Sequence, residues 1–377
     1  MNIHIKKSTA LCLITALIFS LCTSAVNVFA SSGSDFKYEV FGDGYIRITD
    51  YTGSDSAIGI PSEINGRTVT GIAKAAFSKK TAVTSITIPS SVSEIGDNAF
   101  TGCSGLTSIL VNSGSLYFSA SNGVLFNKDK TVLIAYPNGK AGTYSIPNTV
   151  TSIGYSAFDS CKKLTGITIP DSVTSIDVTA FYGCVKLAKL KIPASVDFDS
   201  EAAFADCTEL TSVKIDEGVS KIGEAVFLGC SNLSDVNIPR SANLIEDYAF
   251  SDCISLESIA IPKTVTKIGD YAFGFDLSGA ARKPVANFIV YGFNNSTAHN
   301  YATANELNFI RLTLGDVTRD EDINIFDIMA VRNYIFGKRN LTQSELLTAD
   351  ATEDGEINIF DIMSIRNHIF GSKLLVT

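Results

Sequence analysis

A 23-residue repeat occupies the middle of the chain and constrains its fold more than any other feature. A phenylalanine, usually preceded by alanine, recurs there, and successive copies lie 23 residues apart except for one step of 58. Self-similarity of this period is typical of a solenoid, whose coils must stack because one coil cannot bury its own apolar face. The recurring residues are Phe77, Phe100, Phe158, Phe181, Phe204, Phe227, Phe250 and Phe273.

The unit from Leu164 to Lys186 shows what one coil contains. Ile167 and Ile169 alternate with polar neighbours, which predicts a short strand with its apolar side chains facing inward. Pro170 ends that strand, because proline cannot donate a hydrogen bond to a ladder. A second apolar segment follows at 173–176, and the stretch that carries Ala-Phe is expected to reverse the chain as one helical turn. The predicted fold is therefore mainly β.

These repeats divide the chain into an ordered series of parts. The repeats are predicted over 71–284, and the 58-residue step holds a hairpin insertion at about 122–137. An N-terminal cap is predicted over 31–70, with a pair of strands around its Gly-Asp-Gly turn. A C-terminal cap over 285–313 reads as a strand, a short helix and a final strand.

Six of the eight cysteines lie three residues after a repeated phenylalanine. An even number of cysteines in an exported protein favours disulfides. In a solenoid, however, these side chains form a column of parallel Cβ vectors on rungs about 4.8 Å apart, which is poor disulfide geometry. We therefore expect small buried thiols, and no ligand spacing indicates a metal. They are Cys103, Cys161, Cys184, Cys207, Cys230 and Cys253.

The N-terminus has the pattern of a secretory signal peptide over 1–30. Two lysines precede an apolar run at 10–22, and small residues allow cleavage after Ala30 or after Ala25. An uncleaved membrane anchor is the alternative, but the run is shorter than the roughly 20 residues that a span needs. A lipoprotein cysteine at Cys22 is a further alternative. We expect a secreted, extracellular protein without direct membrane insertion.

The composition argues against several classes of function. The formal net charge is −9 and the pI is ≈ 4.9, whereas nucleic acid and anionic membranes attract basic surfaces. Beyond the signal peptide the only histidines are His299 and His368, so a Ser-His-Asp arrangement is improbable. Paired carboxylates for sugar hydrolysis remain open, yet no catalytic residue is predicted. The exposed strand positions are mostly small and polar: Thr87, Thr168, Lys191, Lys214, Asn237 and Ala260.

The C-terminal segment contains a second, shorter duplication. Residues 316–337 and 350–371, offset by 34, are identical at 15 of 22 positions. Each copy places oxygen donors at loop positions 1, 3, 5, 7, 9 and 12, the seventh through its backbone carbonyl, which suits the six to eight oxygen ligands of Ca²⁺. The predicted ligands of two calcium sites are Asp316, Thr318, Asp320, Asp322, Asn324 and Asp327, and Asp350, Thr352, Asp354, Glu356, Asn358 and Asp361.

A helix is predicted after each loop, with one apolar face that packs the two halves together. No helix is predicted before Asp316, so the unit reads as loop then helix and not as helix, loop, helix. The packing residues are Ile328, Val331 and Ile335 in the first copy and Ile362, Ile365 and Ile369 in the second.

The repeat register of strand, Ile-Pro, Val-x-x-Ile-Gly and Ala-Phe-x-x-Cys resembles the BspA-type leucine-rich repeats of bacterial surface proteins. The duplicated Asp…Asp…Asn…Asp loop with Arg-Asn and Ile-x-Gly, over 315–377, resembles a type I dockerin. The first resemblance implies a binding scaffold of unnamed ligand. The second implies a small all-α, calcium-binding module that docks onto a cohesin of a cellulosome scaffold.

By the dockerin resemblance, partner choice resides at loop positions 10 and 11 and on the following helix. Adjacent apolar residues in an exposed loop are costly unless a partner covers them. The alternative is that each phenylalanine folds back onto its own helix. Because the two halves repeat, docking in two orientations is possible. The expected partner-binding residues are Ile325, Phe326, Arg332, Asn333, Ile359, Phe360, Arg366 and Asn367.

The first loop departs from the dockerin pattern, because Glu321 stands where glycine is usual. A non-glycine residue in the left-handed conformation costs roughly 1–2 kcal/mol, so we expect the first loop to bind calcium more weakly than the second. For the whole chain we expect a secreted, non-catalytic protein that binds through its repeats and docks through its tail. An enzyme or accessory component of polysaccharide breakdown, of the glycoside hydrolase type, and a cell-surface adhesin are the alternatives.

Overall fold

The structure is a computed structural model that describes residues 31–198, 201–277, 282–371 and 375. The predicted signal peptide, 1–30, lies outside the described residues. Among the residues described, no helix has the length and apolar character to span a membrane.

The N-terminal part begins with a 3-10 helix, Gly33–Asp35, and the predicted pair of strands, β1 (Phe36–Val40) and β2 (Ile46–Tyr51). These two strands are antiparallel. β3 (Ala57–Gly59), β4 (Glu63–Ile64) and β5 (Arg67–Ile72) follow. β2 pairs in parallel with β5, so the terminal hairpin continues directly into the ladders of the solenoid.

Two strands of each coil stack in parallel ladders, as the repeat predicts. The register shift between neighbouring coils equals the sequence period, because Lys189 pairs with Ser212 and Ile192 with Ile215. The first strands of the coils are β6 (Ser85–Ile88), β8 (Ser108–Val111), β12 (Gly142–Ser145), β14 (Leu164–Thr168), β16 (Lys189–Ile192), β17 (Ser212–Ile215), β19 (Asp235–Val236) and β21 (Ser258–Ala260). The short second strands are β7 (Glu94–Ile95), β13 (Ser152–Ile153), β15 (Ser175–Ile176), β18 (Lys221–Ile222), β20 (Leu244–Ile245) and β22 (Lys267–Ile268).

The insertion is larger than the predicted hairpin. β10 (Val124–Asn127) and β11 (Val132–Ala135) form that hairpin. A third strand, β9 (Phe118–Ser121), also pairs with β10. The sequence did not indicate β9 because three of its four residues are serine or alanine, which lack strand propensity. β11 then pairs in parallel with β13 and returns the chain to the ladder.

The Ala-Phe stretch reverses the chain through tight turns and a third ladder of hydrogen bonds. The N–H of Ser78 donates to the carbonyl of Ala75 at 2.9 Å, as in one helical turn, but Ala75 itself has a φ of 58°. The N–H of Phe77 donates at 2.8 Å to the carbonyl of Ala99 in the next coil. The backbone therefore bonds between coils at this corner and does not continue as a helix.

The repeated phenylalanines form a stack inside the solenoid. Phe158 and Phe181 have ring centroids 4.5 Å apart, and Phe181 and Phe204 have centroids 4.8 Å apart, with interplanar angles of 13° and 9°. All three side chains are fully buried. Because each ring contacts the rings before and after it, the stack transmits packing from coil to coil.

The six described cysteines are free and buried, as the column argument predicts. Each thiol points at a backbone carbonyl of the preceding coil; Cys103 donates to Phe77 at 2.9 Å and Cys184 to Phe158 at 3.2 Å. Burial raises the pKa of Cys103 to about 11. Burial raises the pKa of Cys161 and Cys253 further still.

These thiols should resist alkylation in the folded protein. All six are buried and closed to the reagent. At pH 8 a thiol with a pKa near 11, such as that of Cys103, is also only about one-thousandth thiolate, and the thiolate is the reactive form. We expect no fast reaction of these six cysteines with a thiol-specific reagent at pH 8 and complete reaction in guanidinium chloride. Fast stoichiometric labelling of these six cysteines in the native protein would contradict their burial in a column inside the solenoid.

The C-terminal end of the solenoid has the predicted strand, helix and strand. β23 (Phe275–Asp276) and β24 (Lys283–Pro284) form a short antiparallel pair before it. β25 (Ile289–Gly292), α1 (Thr297–Ala304) and β26 (Asn308–Arg311) follow, and β25 pairs in parallel with both β21 and β26.

The tail contains three helices, α2 (Ile325–Ile335), α3 (Gln343–Ala349) and α4 (Ile359–Ile369). α2 and α4 are the predicted helices, whereas α3 was not predicted, and the second loop therefore has a helix before it. A capping box marks its start: the N–H of Thr342 donates to the Glu345 carboxylate at 2.7 Å, and the N–H of Glu345 donates to the Thr342 hydroxyl. The Thr-x-x-Glu spacing is a sequence signal that would have found it.

The core of the tail lies between α2 and α4. Val331 and Ile365 are fully buried at its centre, and Ile328, Ile362 and Ile369 pack around them. The prediction was wrong for Ile335, whose side chain is 39% exposed. Ile335 is the last residue of α2, and Tyr334 packs against the core in its place.

Candidate calcium loops and docking face

The loops before α2 and α4 have the same conformation. In the first, a carboxylate of Asp316 accepts hydrogen bonds from the N–H groups of Asp320 at 3.2 Å and Glu321 at 3.1 Å. In the second, Asp350 accepts from Asp354 at 3.1 Å and from Gly355 at 2.9 Å. The sequence repeat is therefore also a repeat of backbone geometry.

The carboxylate at position 12 joins the start of each loop to the helix that follows. Asp327 accepts from the N–H and the hydroxyl of Thr318, at 2.8 and 2.9 Å, and from the N–H of Asn324 at 2.8 Å. Asp361 accepts in the same way from Thr352 and Asn358. Positions 3, 9 and 12 of each loop are thereby brought together.

The remaining predicted ligands stabilise the loop from within. Asp320 accepts from the N–H of Asp322 at 3.1 Å, and Asn324 caps α2 by accepting from the N–H of Phe326 at 2.8 Å. Asp354 accepts in the same manner from Glu356. Across residues 31–198, 201–277, 282–371 and 375, no three carboxylate, imidazole or thiol groups converge as a metal cluster.

The charges of the first loop favour a bound cation. Asp316 and Asp327 are almost completely buried. Burial raises the pKa of Asp316, and the carboxylate of Asp327 raises it further. Two buried carboxylates without a counter-charge are unfavourable, and a cation would relieve both effects. The donor set consists of oxygen alone, which fits Ca²⁺.

Loop position 6 has a left-handed backbone in both copies. Glu321 has a φ of 71° and Gly355 a φ of 89°. The first loop therefore holds a glutamate in a conformation that glycine adopts without strain.

Replacing Glu321 with glycine should tighten calcium binding at the first loop. Removing about 1–2 kcal/mol of backbone strain corresponds to roughly fivefold to thirtyfold in affinity. Isothermal titration of calcium into the full chain measures the affinity of the first loop. Glu321→Ala is the matched control, because it removes the carboxylate and keeps the strained φ. Equal gains in both variants would show that charge and not backbone strain is responsible.

Six of the eight predicted partner-binding residues are exposed. Phe326 and Phe360 are 61% and 60% exposed, and the isoleucines before them, Ile325 and Ile359, are equally open. The alternative that each phenylalanine folds back onto its own helix is therefore wrong. Arg332 and Arg366 are exposed on the following helices, with Asn333 and Asn367 half-buried beside them.

Further apolar residues extend this face beyond the predicted set. Phe336 and Phe370 are 64% and 72% exposed, with Arg332 and Arg366 lying over their rings. Met329 and Met363 are also exposed on the two helices. These phenylalanines and methionines recur at the same positions of the two copies. That recurrence is a sequence signal from which they could have been predicted as part of the docking face.

Comparison with known protein families identifies both parts. The profile of the BspA type leucine-rich repeat region matches residues 56–122, 134–254 and 200–276, which together span more than half of the chain. The chain belongs to this family. The profile of the dockerin type I domain matches residues 314–370. The tail is therefore a type I dockerin domain, a kind of domain that binds calcium, and neither family is catalytic.

Solved structures of bacterial leucine-rich repeat proteins are similar to this chain. A leucine-rich repeat protein from Eubacterium ventriosum is 24% identical, with 64% of this chain and 92% of that chain covered and a TM-score of 0.48. A leucine-rich cell surface protein from Faecalibacterium prausnitzii is 22% identical, with coverage of 63% and 95% and a TM-score of 0.42. None of the curated proteins matches significantly.

The dockerin packs against the last coils of the leucine-rich repeats. Leu347 of α3 contacts an apolar cluster that includes Ala260, Phe293, Leu312 and Leu314. Ala260 is only 6% exposed, so the expectation that it faces solvent was wrong. The physical reason is that the dockerin covers the ladder at this end, which the repeat alone does not reveal.

Proposed function

We propose that this protein is secreted and docks through its calcium-loaded dockerin onto a cohesin module of a cellulosome scaffold. The duplicated and exposed Ile-Phe pairs are the observation that carries this proposal. Exposed large apolar residues that recur at equivalent positions favour a partner surface, and the type I dockerin match supports a cohesin as that partner.

Each loop would hold one calcium ion through oxygen donors. Calcium would neutralise the buried carboxylates and link the start of each loop to the helix after it, which keeps α2 and α4 in one arrangement. The proposed ligands are Asp316, Thr318, Asp320, Asp322, Asn324 and Asp327 in the first site, and Asp350, Thr352, Asp354, Glu356, Asn358 and Asp361 in the second.

The docking surface would consist of the loop ends and the exposed faces of α2 and α4. Because both halves present the same side chains, the cohesin could bind either half, in two orientations. The proposed contact residues are Ile325, Phe326, Arg332, Asn333, Ile359, Phe360, Arg366 and Asn367.

The leucine-rich repeats would present a surface for a protein or carbohydrate ligand. The solenoid buries its apolar residues in two core clusters, which meet at the insertion, and leaves polar strand positions, such as Thr168 and Lys191, facing outward. Attachment to the scaffold would place this surface outside the cell, in a cellulosome or at the cell surface.

A panel of purified cohesin modules, immobilised and exposed to the full chain, tests the docking proposal. We expect at least one cohesin to retain the chain in calcium and none to retain it in excess chelator, with retention restored when calcium is added back. Failure of every type I cohesin to retain the folded, calcium-loaded chain would contradict the proposal.

A further inference from the structure

An arginine of the leucine-rich repeats reaches into the second calcium loop. Arg240 lies in the turn after β19, and its guanidinium forms an ion pair with Asp350, the fully buried carboxylate at position 1 of that loop. The same guanidinium donates at 2.8 Å to the carbonyl of Leu346, in the last turn of α3. One side chain thus binds both the loop and the helix before it.

Arg240 is positioned from the solenoid side. Its backbone N–H donates to the Glu217 carboxylate at 3.1 Å, and the N–H of Ser241 donates to the same carboxylate at 3.1 Å. Glu217 belongs to the preceding coil, so the turn that carries Arg240 is tied to the ladder. The guanidinium is therefore presented to the loop by a rigid part of the fold.

A second ion pair and the apolar cluster complete the contact. Lys263, one coil later, lies 2.9 Å from the carboxylate of Glu353 at position 4 of the second loop, and its amine lies over the ring of Phe293. Leu347 packs beside them in the apolar cluster. The second loop therefore meets two basic side chains of the solenoid.

The guanidinium lies in the electric field of the calcium-ligand carboxylates. Burial lowers the pKa of Arg240, and surrounding carboxylates oppose that effect; in decreasing order they belong to Glu217, Asp361, Glu353 and Asp354. Asp361 and Asp354 are the predicted ligands at positions 12 and 5. Arg240 thus supplies a positive charge to the group of carboxylates that calcium would neutralise.

The first loop provides an internal comparison. Within the described residues, Asp316 and Asp327 have no basic side chain at ion-pair distance, unlike Asp350 and Glu353 of the second loop. The two loops share the hydrogen bonds made by the carboxylates at positions 1 and 12 to positions 3, 5, 6 and 9, and they have nearly the same sequence. They differ in that only the second meets a cation from the solenoid.

We propose that Arg240 occupies the cation position of the second loop when calcium is absent and that calcium must displace it. The inference rests on the proposed calcium sites. The calcium ion and the guanidinium of Arg240 compete for the carboxylate of Asp350, so each weakens the binding of the other. Calcium binding at the second loop therefore opposes the packing of the dockerin against the solenoid. Linkage requires that loss of Arg240 tightens the second site and leaves the first unchanged.

Isothermal titration of calcium into the stripped full chain tests this. Arg240→Met keeps the apolar stem and removes the charge, and we expect the second site to bind about tenfold more tightly, within the usual range of coupling between sites. Arg311→Ala, an exposed arginine of β26, is the matched control and should leave both sites unchanged. Unchanged affinity of both sites in Arg240→Met would overturn the proposal.

A crosslinking measurement does not depend on that variant. In a chain with Lys263→Cys and Glu353→Cys, the six native cysteines within the described residues are buried. With Cys12 and Cys22 replaced by serine, a bismaleimide therefore reports on the new pair. We expect severalfold faster crosslinking in chelator than in calcium, because calcium frees the second loop from the solenoid. Equal rates would overturn the competition. Retention of the same variants by an immobilised cohesin in saturating calcium tests the proposed cohesin binding separately.

Discussion

Replacing both Phe326 and Phe360 with alanine should abolish cohesin binding, whereas either single replacement should weaken it by only about twofold. Each half of the dockerin presents its own exposed Ile-Phe pair, so one intact half still offers a complete face. Buried aromatic anchors at interfaces contribute roughly 2 kcal/mol or more, so losing both leaves no strong contact. Titration calorimetry in calcium, with a cohesin that retains the chain in the panel, measures the affinity of all three variants.

The symmetry of the two halves makes this result discriminating. Leu116→Ala removes an apolar side chain that is 75% exposed and lies outside the dockerin, and it should leave cohesin binding unchanged. Complete loss from either single phenylalanine would show that only one half docks. Full binding by the double variant would place the interface elsewhere.

Replacing Phe204 with alanine should destabilise the solenoid by about 3–5 kcal/mol, the usual cost of removing a buried phenylalanine. Phe204 is fully buried, with ring centroids 4.8 Å from Phe181 and 5.7 Å from Phe227. The change opens a cavity in the stack and removes these two ring contacts together with a third, edge-on contact with Phe198. Urea unfolding, followed by circular dichroism, measures the difference in free energy of unfolding.

A surface phenylalanine serves as the control for that measurement. Phe370→Ala removes the same side chain at a site that is 72% exposed, and surface changes of this kind usually alter stability by less than about 0.5 kcal/mol. Equal destabilisation by both variants would contradict the role of the stack. A loss confined to one part of the unfolding curve would show that the coils unfold separately.

The repeat predicted the solenoid because its residues act locally and periodically. One strand shows this, because its inward face is set by Ile167 and Ile169 and its end by Pro170. The phenylalanine stack follows from the same 23-residue period. The strand β9 was missed because its small residues lack strand propensity, and α3 was missed although Thr342 and Glu345 mark its start.

The shared conformation of the two loops and the exposure of the Ile-Phe pairs could be predicted because their residues lie at fixed spacing in the sequence, whereas the calcium ligands stay a prediction. The contacts between the leucine-rich repeats and the dockerin could not be predicted. Arg240 and Asp350 are far apart along the chain, and nothing near Arg240 indicates a partner of opposite charge. The burial of Ala260 depends on the same long-range packing, which a repeat pattern does not specify.

The central claim is that calcium holds the dockerin in the form that its partner binds. The most direct test is calorimetric titration of the retained cohesin into the full chain, first saturated with calcium and then stripped of it. We predict a single tight binding event in calcium, no measurable heat from the stripped chain, and full recovery when calcium is restored. Equal affinity with and without calcium would contradict the claim.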